Sequence, residues 1–386
     1  MAWTNYQKAL ALLMVVTGSI NTIATKWADK LSSKNSVGVY TEFNHPFLQA
    51  CGMFLGELSC LLLFKIIVCS GKPSHLVGTE DGKLPTSGSF NPLIFLAPAL
   101  CDLTATSTMY VGLNLTYASS FQMLRGAVIV FTGLLSVAFL DRHLKKYEWL
   151  GIFIVIIGLI CVGLSDIINP DDSANYSQNS IITGDLLIIM AQIIVATQMV
   201  VEEKFVSKYN VPALQGVGWE GLFGFVTLSI LLVPMYYIKV GRSVFKNPDG
   251  QMEDAIDGFI QISNSWQVAL AVAGTVISIA FFNFAGLSVT KEMSATTRMV
   301  LDSVRTFTVW IFSLCVKWQK FYWLQLVGFI ILLIGMCLYN DVFIRPFYNK
   351  LRAKYGGKGE TQPLLRNSDE ESSSPLIKSG STSINA

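Results

Sequence analysis

The chain has 386 residues, of which 52% are hydrophobic and 14% are charged, and its formal net charge is +2. Soluble domains carry about 25% charged residues, so this composition excludes a soluble globular protein, because too few polar residues are present to cover its surface. The mean hydropathy of +0.50 indicates a membrane protein, for which we expect no nucleic-acid partner.

Ten apolar segments qualify, or nearly qualify, as bilayer spans, which need about 20 residues each. In chain order they are 7–25, 46–69, 92–112, 119–140, 148–165, 183–201, 215–238, 266–288, 294–316 and 322–343. They predict an all-α membrane protein with ten transmembrane helices in one polytopic domain, 1–344, followed by a disordered cytosolic tail, 345–386. Lys8 and the apolar residues after it also fit a cleavable signal peptide, and the sequence leaves that alternative open.

Parts of the first half of the chain recur in the second half. YVGLNLT at 110–116 returns as FAGLSVT at 284–290. Two glycines seven residues apart recur at the same offset: Gly151 and Gly158, then Gly328 and Gly335. We therefore predict two five-helix repeats, about 1–168 and 180–344. An odd number of spans per repeat makes the repeats inverted, as in many secondary transporters, whose substrate lies between the repeats near the bilayer midplane.

The distribution of Lys and Arg predicts the orientation. The loops after the second, fourth and sixth segments and the tail are basic, whereas the 113–118 and 166–182 loops contain no Lys or Arg. Basic residues near 26–34 and 239–246 count against this assignment, but on balance both termini face the cytosol. The 239–265 loop also has apolar residues at helical spacing around Ile256 and Phe259, which predicts a short amphipathic helix on the membrane surface.

Polar residues inside the apolar segments carry the functional prediction, since each is costly in hydrocarbon unless it faces a cavity or a partner. Arg298, Asp302 and Arg305 fall at i, i+4 and i+7, on one face of the ninth segment. Deep, permanently charged arginines suit an anionic ligand. The residues predicted to bind the substrate are Arg125, Arg305, Asp302, Arg298, Gln122, Asp102, Asn283 and Gln192.

Structural alternatives exist for several of these polar residues. Asp302 could simply neutralise a neighbouring arginine, and Arg298 with Glu202 or Glu203 could reach water at the segment ends. For Glu57 and Glu220 a bracing role between helices is favoured, and Asp185 is read as a carboxylate at a helix start. The seven cysteines lie in or beside apolar segments and the three histidines are scattered, so no disulfide framework, metal site or cofactor is expected.

Three stretches together resemble the drug/metabolite transporter superfamily: Tyr110–Leu124, Trp149–Gly158 and Thr183–Leu187. Within it, residues 1–345 are similar to solute carrier family 35, the nucleotide-sugar-transporter-like carriers, and most similar to its F subfamily. The resemblance implies ten helices in two inverted repeats around a central site lined by helices three, four, eight and nine. It also implies lysosomal and mitochondrial residence and adenine nucleotide translocase as a partner, but it supplies no substrate.

Three function classes follow. The first is a secondary transporter or exchanger of an anionic, nucleotide-linked metabolite, which works by alternating access in an endolysosomal membrane and has no P-loop for ATP. The second is a non-transporting scaffold or receptor that keeps the fold and binds another membrane protein. The third, an intramembrane enzyme, has no HExxH, GxSxG or aspartyl-pair motif to support it.

The orientation predicts one modification. Asn175-Tyr-Ser177 is a glycosylation sequon in the polar 166–182 loop, so Asn175 should be lumenal and glycosylated. Asn114 heads a second sequon at a membrane edge and should stay unmodified. Glycosidase treatment should shift the wild-type band on a gel, and Asn175→Gln should abolish the shift. A shift that persists in the variant contradicts the orientation.

The tail contains a pattern that predicts the subcellular location. Glu360 precedes Leu364 and Leu365 by four and five positions, the spacing of an acidic dileucine signal that clathrin adaptors bind in an extended peptide. Replacing both leucines by alanine should move a tagged protein from lysosomes to the plasma membrane, as seen by microscopy. Continued lysosomal residence of the double variant would show that another signal directs it.

Overall fold

The computed structural model describes residues 3–70, 90–116, 118–140, 142–168, 178–209, 211–240, 250–318 and 322–339. In this part of the chain the α-helices are α1 Asn5–Lys30, α2 Pro46–Cys69, α3 Leu96–Leu115, α4 Ala118–Leu124, α5 Val128–Phe139, α6 Lys146–Ile168, α7 Gln178–Tyr209, α8 Ala213–Tyr237, α9 Ala255–Asn264, α10 Trp266–Glu292, α11 Ala295–Cys315 and α12 Trp323–Tyr339. Short 3₁₀ helices at Pro92–Phe95 and Arg125–Ala127 precede α3 and α5, and strands β1 Ser32–Lys34 and β2 Tyr40–Glu42 form an antiparallel hairpin.

Eight helical stretches in the described residues are long and apolar enough to cross a membrane. They are Asn5–Lys30, Pro46–Cys69, Pro92–Leu113, Ser120–Phe139, Lys146–Ser165, Gln178–Tyr209, Ala213–Tyr237 and Trp266–Glu292. These correspond to the first eight predicted segments and confirm an all-α membrane protein. Helix α11 carries three charged residues in its first eleven positions, and α12 has 17 residues, so neither is among the eight.

Polar residues in the sequence set where several helices begin. The Thr4 hydroxyl accepts a hydrogen bond from Gln7 N, and the Gln7 side chain accepts one from Thr4 N, which forms a capping box at α1. Ser265 Oγ caps α10 and Ser294 Oγ caps α11 in the usual way, by accepting from a backbone N–H three residues later. Short polar signals therefore fix the starts of α1, α10 and α11.

Two local features differ from the prediction. The fourth segment, 119–140, contains one membrane-length helical stretch, Ser120–Phe139, but a 3₁₀ turn at Arg125–Ala127 interrupts it between α4 and α5. Asp185 is not at a helix start, because α7 begins at Gln178, about two turns earlier. Asp185 Oδ1 instead accepts a hydrogen bond of 2.6 Å from the Thr116 hydroxyl just beyond α3, so it joins two helices.

Glycines bring the helices α6 and α12 into backbone contact. A Cβ atom on Gly158 would lie 2.8 Å from Leu332 N and 2.9 Å from Gly328 O, and one on Gly151 would lie 2.9 Å from Gly335 O. The glycines that recur in the two halves of the sequence therefore face each other across one helix pair. Small residues permit this approach, which maximises van der Waals contact in a bilayer.

Helices α2 and α8 are packed together by a second set of glycines. A Cβ on Gly218 would lie 2.5 Å from Leu61 N, and one on Gly221 would lie 2.4 Å from Leu58 N. One turn further, a Cβ on Gly224 would lie 2.3 Å from the Phe54 ring. The three glycines occupy one face of α8, which brings the middle of α2 against the first half of α8.

A buried polar cluster connects the hairpin region to α9 at one end of the bundle. His45 Nδ1 lies 2.8 Å from Glu253 Oε1, and His45 Nε2 lies 3.5 Å from Asp257 Oδ2. Asp257 also accepts hydrogen bonds from Ser36 N and Gln261 Nε2, at 2.5 and 2.8 Å. Burial raises the pKa of Asp257, but these hydrogen bonds and His45 outweigh that effect and lower its pKa.

Helix α9 confirms the short helix predicted in the 239–265 loop. Ile256 and Phe259 are 62% and 63% exposed on it. Exposed apolar side chains on a helix that follows a membrane span suit the bilayer interface, so a location on the membrane surface stays a prediction.

The glycine contacts predict a sharp difference between two positions on α6. In Gly158→Ala, the new methyl group meets backbone atoms that cannot move aside, and overpacking of this kind costs about 1–3 kcal/mol. Gly163 has no atom within 4 Å of its Cβ position, so Gly163→Ala should not destabilise the protein. Thermal unfolding of the purified variants in detergent measures both effects. Equal stability of the two variants would contradict the close α6–α12 contact.

Candidate functional site

A cavity of about 380 Å³ lies between the helices and is lined by residues of α1, α2, α3, α4, α7, α8, α10 and α11, together with the 3₁₀ turn at Arg125. This volume is in the range of small-molecule sites. Seven of the eight predicted binding residues line it: Arg125, Arg305, Asp302, Arg298, Gln122, Asp102 and Asn283. Gln192 is not among the lining residues that the structure describes, and its amide donates to Met109 Sδ at 3.3 Å.

Arg305 is held by three neighbours. Its Nη2 lies 2.7 Å from Asp302 Oδ1 on the same helix, and its Nη1 donates to the Thr22 hydroxyl at 3.4 Å. The guanidinium carbon is 4.8 Å from the centre of the Phe282 ring, a cation–π distance. Asp302 therefore neutralises Arg305, and α11 is joined to α1 and α10 at this point.

Arg125 has a different environment. It lies in the 3₁₀ turn between α4 and α5, and its guanidinium carbon is 5.9 Å from the centre of the Phe121 ring. Within the described part of the chain it makes neither an ion pair nor a hydrogen bond. Because arginine stays protonated in proteins, its five N–H donors are available to an anionic ligand in the cavity.

Arg298 does not pair with Asp302. Its Nη1 forms a buried ion pair with Glu202 Oε2 of α7, and the two residues are 7% and 0% exposed. The neighbouring carboxylate, Glu203, accepts a hydrogen bond of 3.0 Å from Ala295 N at the start of α11. The water-reaching alternative is therefore wrong for Arg298 and Glu202, because both are buried where α7 ends and α11 begins.

Three further carboxylates line the cavity near Arg298: Glu57, Asp102 and Glu220. Glu57 Oε1 accepts a hydrogen bond from Asn283 Nδ2, and Asp102 Oδ1 accepts one of 3.4 Å from the Thr106 hydroxyl. Glu220 Oε1 has no hydrogen-bond partner in the described residues. The bracing role that the sequence favours therefore fits Glu57, which joins α2 to α10. Glu220 lines the cavity without such a contact.

Helix α1 contributes a polar face that sequence reasoning missed. Its lining residues are Asn21, Thr22, Thr25, Lys26, Asp29 and Lys30. These positions repeat at intervals of three and four residues, the spacing of one helix face. The same pattern is visible in the sequence, but half of it lies beyond the apolar segment 7–25 that predicts the first span.

Two groups of predicted functional residues lie outside the described residues. They are the glycosylation site Asn175 and the sorting-signal residues Glu360, Leu364 and Leu365.

Comparisons with known proteins identify the family of the chain. A family model for solute carrier family 35, F group, matches residues 91–245. Solute carrier family 35 member F6 of Homo sapiens is 56% identical over 372 residues, which cover 96% of each chain. CMP-sialic acid transporter 1 of Arabidopsis thaliana is 24% identical, over 92% of this chain and 96% of that one.

A crystal structure that is 10% identical superposes with a TM-score of 0.55, over 89% of this chain and 99% of that one, and shares the fold. Because the human relative is similar over nearly its whole length, the chain belongs to solute carrier family 35, in its F subfamily, and is a multi-pass membrane transporter rather than an enzyme.

Proposed function

We propose that this transporter is a secondary carrier or exchanger of an anionic metabolite, of the nucleotide-linked class, and that it works by alternating access. The observation that carries the proposal is that Arg125 has no ion-pair or hydrogen-bond partner among the described residues and lines the same cavity as Arg305. A permanent charge at this depth is costly unless a ligand or a partner compensates it. An anion with planar oxygens, such as a phosphate or carboxylate, matches the arginine fork.

The ligand class is supported by the rest of the lining. Tyr110, Phe121 and Phe282 present aromatic rings to the same cavity, and such rings can stack on a nucleobase. A relative with 24% identity is named a CMP-sialic acid transporter, which is a carrier of a nucleotide-linked sugar. A nucleotide sugar combines the negative charge and the flat ring that this lining suits.

We further propose ten membrane spans in two inverted repeats, with α11 and α12 as the ninth and tenth. The first repeat consists of α1, α2, α3, α4–α5 and α6, and the second of α7, α8, α10, α11 and α12. In this pairing α1 corresponds to α7, α2 to α8, α3 to α10 and α6 to α12. The packed pair α1–α10 is then equivalent to the packed pair α7–α3. The packed pairs α2–α8 and α6–α12 each join a helix to its own counterpart. These are the relations that a two-fold axis in the membrane plane generates.

The location and partners that we propose come from the sequence. The acidic dileucine pattern at Glu360, Leu364 and Leu365 favours an endolysosomal membrane, reached through clathrin adaptors that bind the tail. The family resemblance adds the mitochondrion and adenine nucleotide translocase as a second location and partner. If no substrate is transported, a scaffold that binds such a membrane protein is the alternative.

Arginine substitutions test the anion site. Arg125→Ala and Arg305→Ala should each reduce uptake of radiolabelled nucleotide sugars into proteoliposomes, starting with CMP-sialic acid, by about tenfold to a hundredfold. This range follows from about 1.5–3 kcal/mol for a hydrogen bond to a charged group. Lys204→Ala removes an exposed cation from α7 and should transport normally.

The outcomes separate the candidate functions. Normal uptake by both arginine variants would refute the anion site. If the folded wild-type protein moves no anionic metabolite of a broad panel, the scaffold becomes the better explanation. Size-exclusion profiles of all variants establish that each one is folded.

A further inference from the structure

Four carboxylates from four different helices lie close together beside the cavity. Glu57 of α2, Asp102 of α3 and Glu220 of α8 line it, and the buried Glu202 of α7 lies next to Glu220. Among the described residues, the only guanidinium that faces Glu220 together with them is that of Arg298, from α11. This group of side chains is thus formally anionic. The cations Arg125 and Arg305 line the same cavity.

Backbone packing fixes the position of Glu220. The Cβ of an alanine at position 221 would lie 2.4 Å from Leu58 N and 2.5 Å from Glu57 Cβ. Glu57 and Glu220 therefore flank one of the close backbone contacts between α2 and α8. Glu220 is 9% exposed and lines the cavity.

The donors around the cluster do not match its charge. Arg298 pairs with Glu202, Asn283 donates to Glu57, and a threonine hydroxyl donates to Asp102. Glu220 Oε1 receives no hydrogen bond from the part of the chain that the structure describes. Each uncompensated buried charge costs several kcal/mol, and a carboxylate in that position takes up a proton instead.

A metal ion fits this cluster less well than a proton. No group of three or more His, Cys, Asp or Glu side chains in the described residues could hold a metal ion. Calcium takes six to eight oxygen ligands and magnesium demands octahedral geometry, whereas Glu57, Asp102 and Glu202 already have protein donors.

We propose that this cluster is a proton-binding site, with Glu220 as the proton carrier, and that the carrier moves a proton together with its anion. This inference rests on the proposed transport function. An anion at Arg125 adds negative charge to a low-dielectric cavity that already contains carboxylates. A proton on the Glu220 carboxyl group offsets that charge, and it leaves with the anion when the cavity opens to the other side.

Infrared difference spectroscopy tests proton binding without any substrate. The full chain in lipid nanodiscs should show, at neutral pH, the carbonyl stretch of a protonated carboxylic acid, which shifts on exchange into D₂O. Glu220→Gln should remove most of this band. Glu292→Gln, which changes an exposed carboxylate at the end of α10, should leave the band intact.

Three outcomes would overturn the proton site. They are absence of the band in the wild type, its persistence in both Glu220→Gln and Glu57→Gln, and its removal by sodium chloride but not by choline chloride. The last result would indicate a metal cation in place of the proton.

Flux measurements test the coupling. An inward proton gradient should accelerate CMP-sialic acid uptake by wild-type proteoliposomes severalfold. Glu220→Gln should lose this acceleration, whereas the control Glu292→Gln should keep it. A folded wild type that transports the probe without any response to the gradient would refute the coupling. The infrared band needs no substrate, so the two proposals can be separated. A band without flux would contradict only the proposed function. Flux without a band would contradict only the proton site.

Discussion

A charged side chain on a membrane helix must be compensated by the protein, because hydrocarbon does not solvate it. In this transporter that requirement decides which helix faces point inward. Arg305 reaches Asp302 on its own helix and Thr22 on α1, and Arg298 reaches Glu202 on α7. These contacts join α11, with its three charged residues, to α1 and α7. The charged side chains of α11 therefore face the cavity between these helices.

Close contact between helix backbones is the second feature that holds the bundle together. Lipid-facing surfaces give membrane helices no hydrophobic reason to associate, so tight packing of small residues supplies the attraction. Gly221 brings α2 and α8 together beside Glu57 and Glu220, and Gly158 does the same for α6 and α12 away from the cavity. The glycine contacts between α2 and α8 thus hold two carboxylates in position. Those between α6 and α12 only stabilise the bundle.

The sequence predicted the helices well and the connections between charges less well. Apolar length and caps are local properties, which is why eight spans could be anticipated and why seven of the eight predicted binding residues line the cavity. The pairing of Arg298 with Glu202 could not be anticipated, because it joins positions 96 residues apart whose proximity depends on how α7 and α11 pack. Likewise, the apolar pattern ends near residue 25 and does not show that α1 continues to Lys30, or that the Gln192 amide contacts Met109.

The two repeats that we propose differ in chemistry at corresponding positions. Under the proposed repeat, Arg125 and Asp302 occupy corresponding positions, yet one is a cation on a broken helix and the other an anion on a continuous one. A 3₁₀ interruption within a helix often marks a hinge, and here it contains the unpaired guanidinium. Motion at this turn would move Arg125 relative to Arg305, which is anchored by Asp302. If the proposed inverted repeat and anion site hold, this asymmetry would keep Arg305 fixed while Arg125 moves with the proposed change in access.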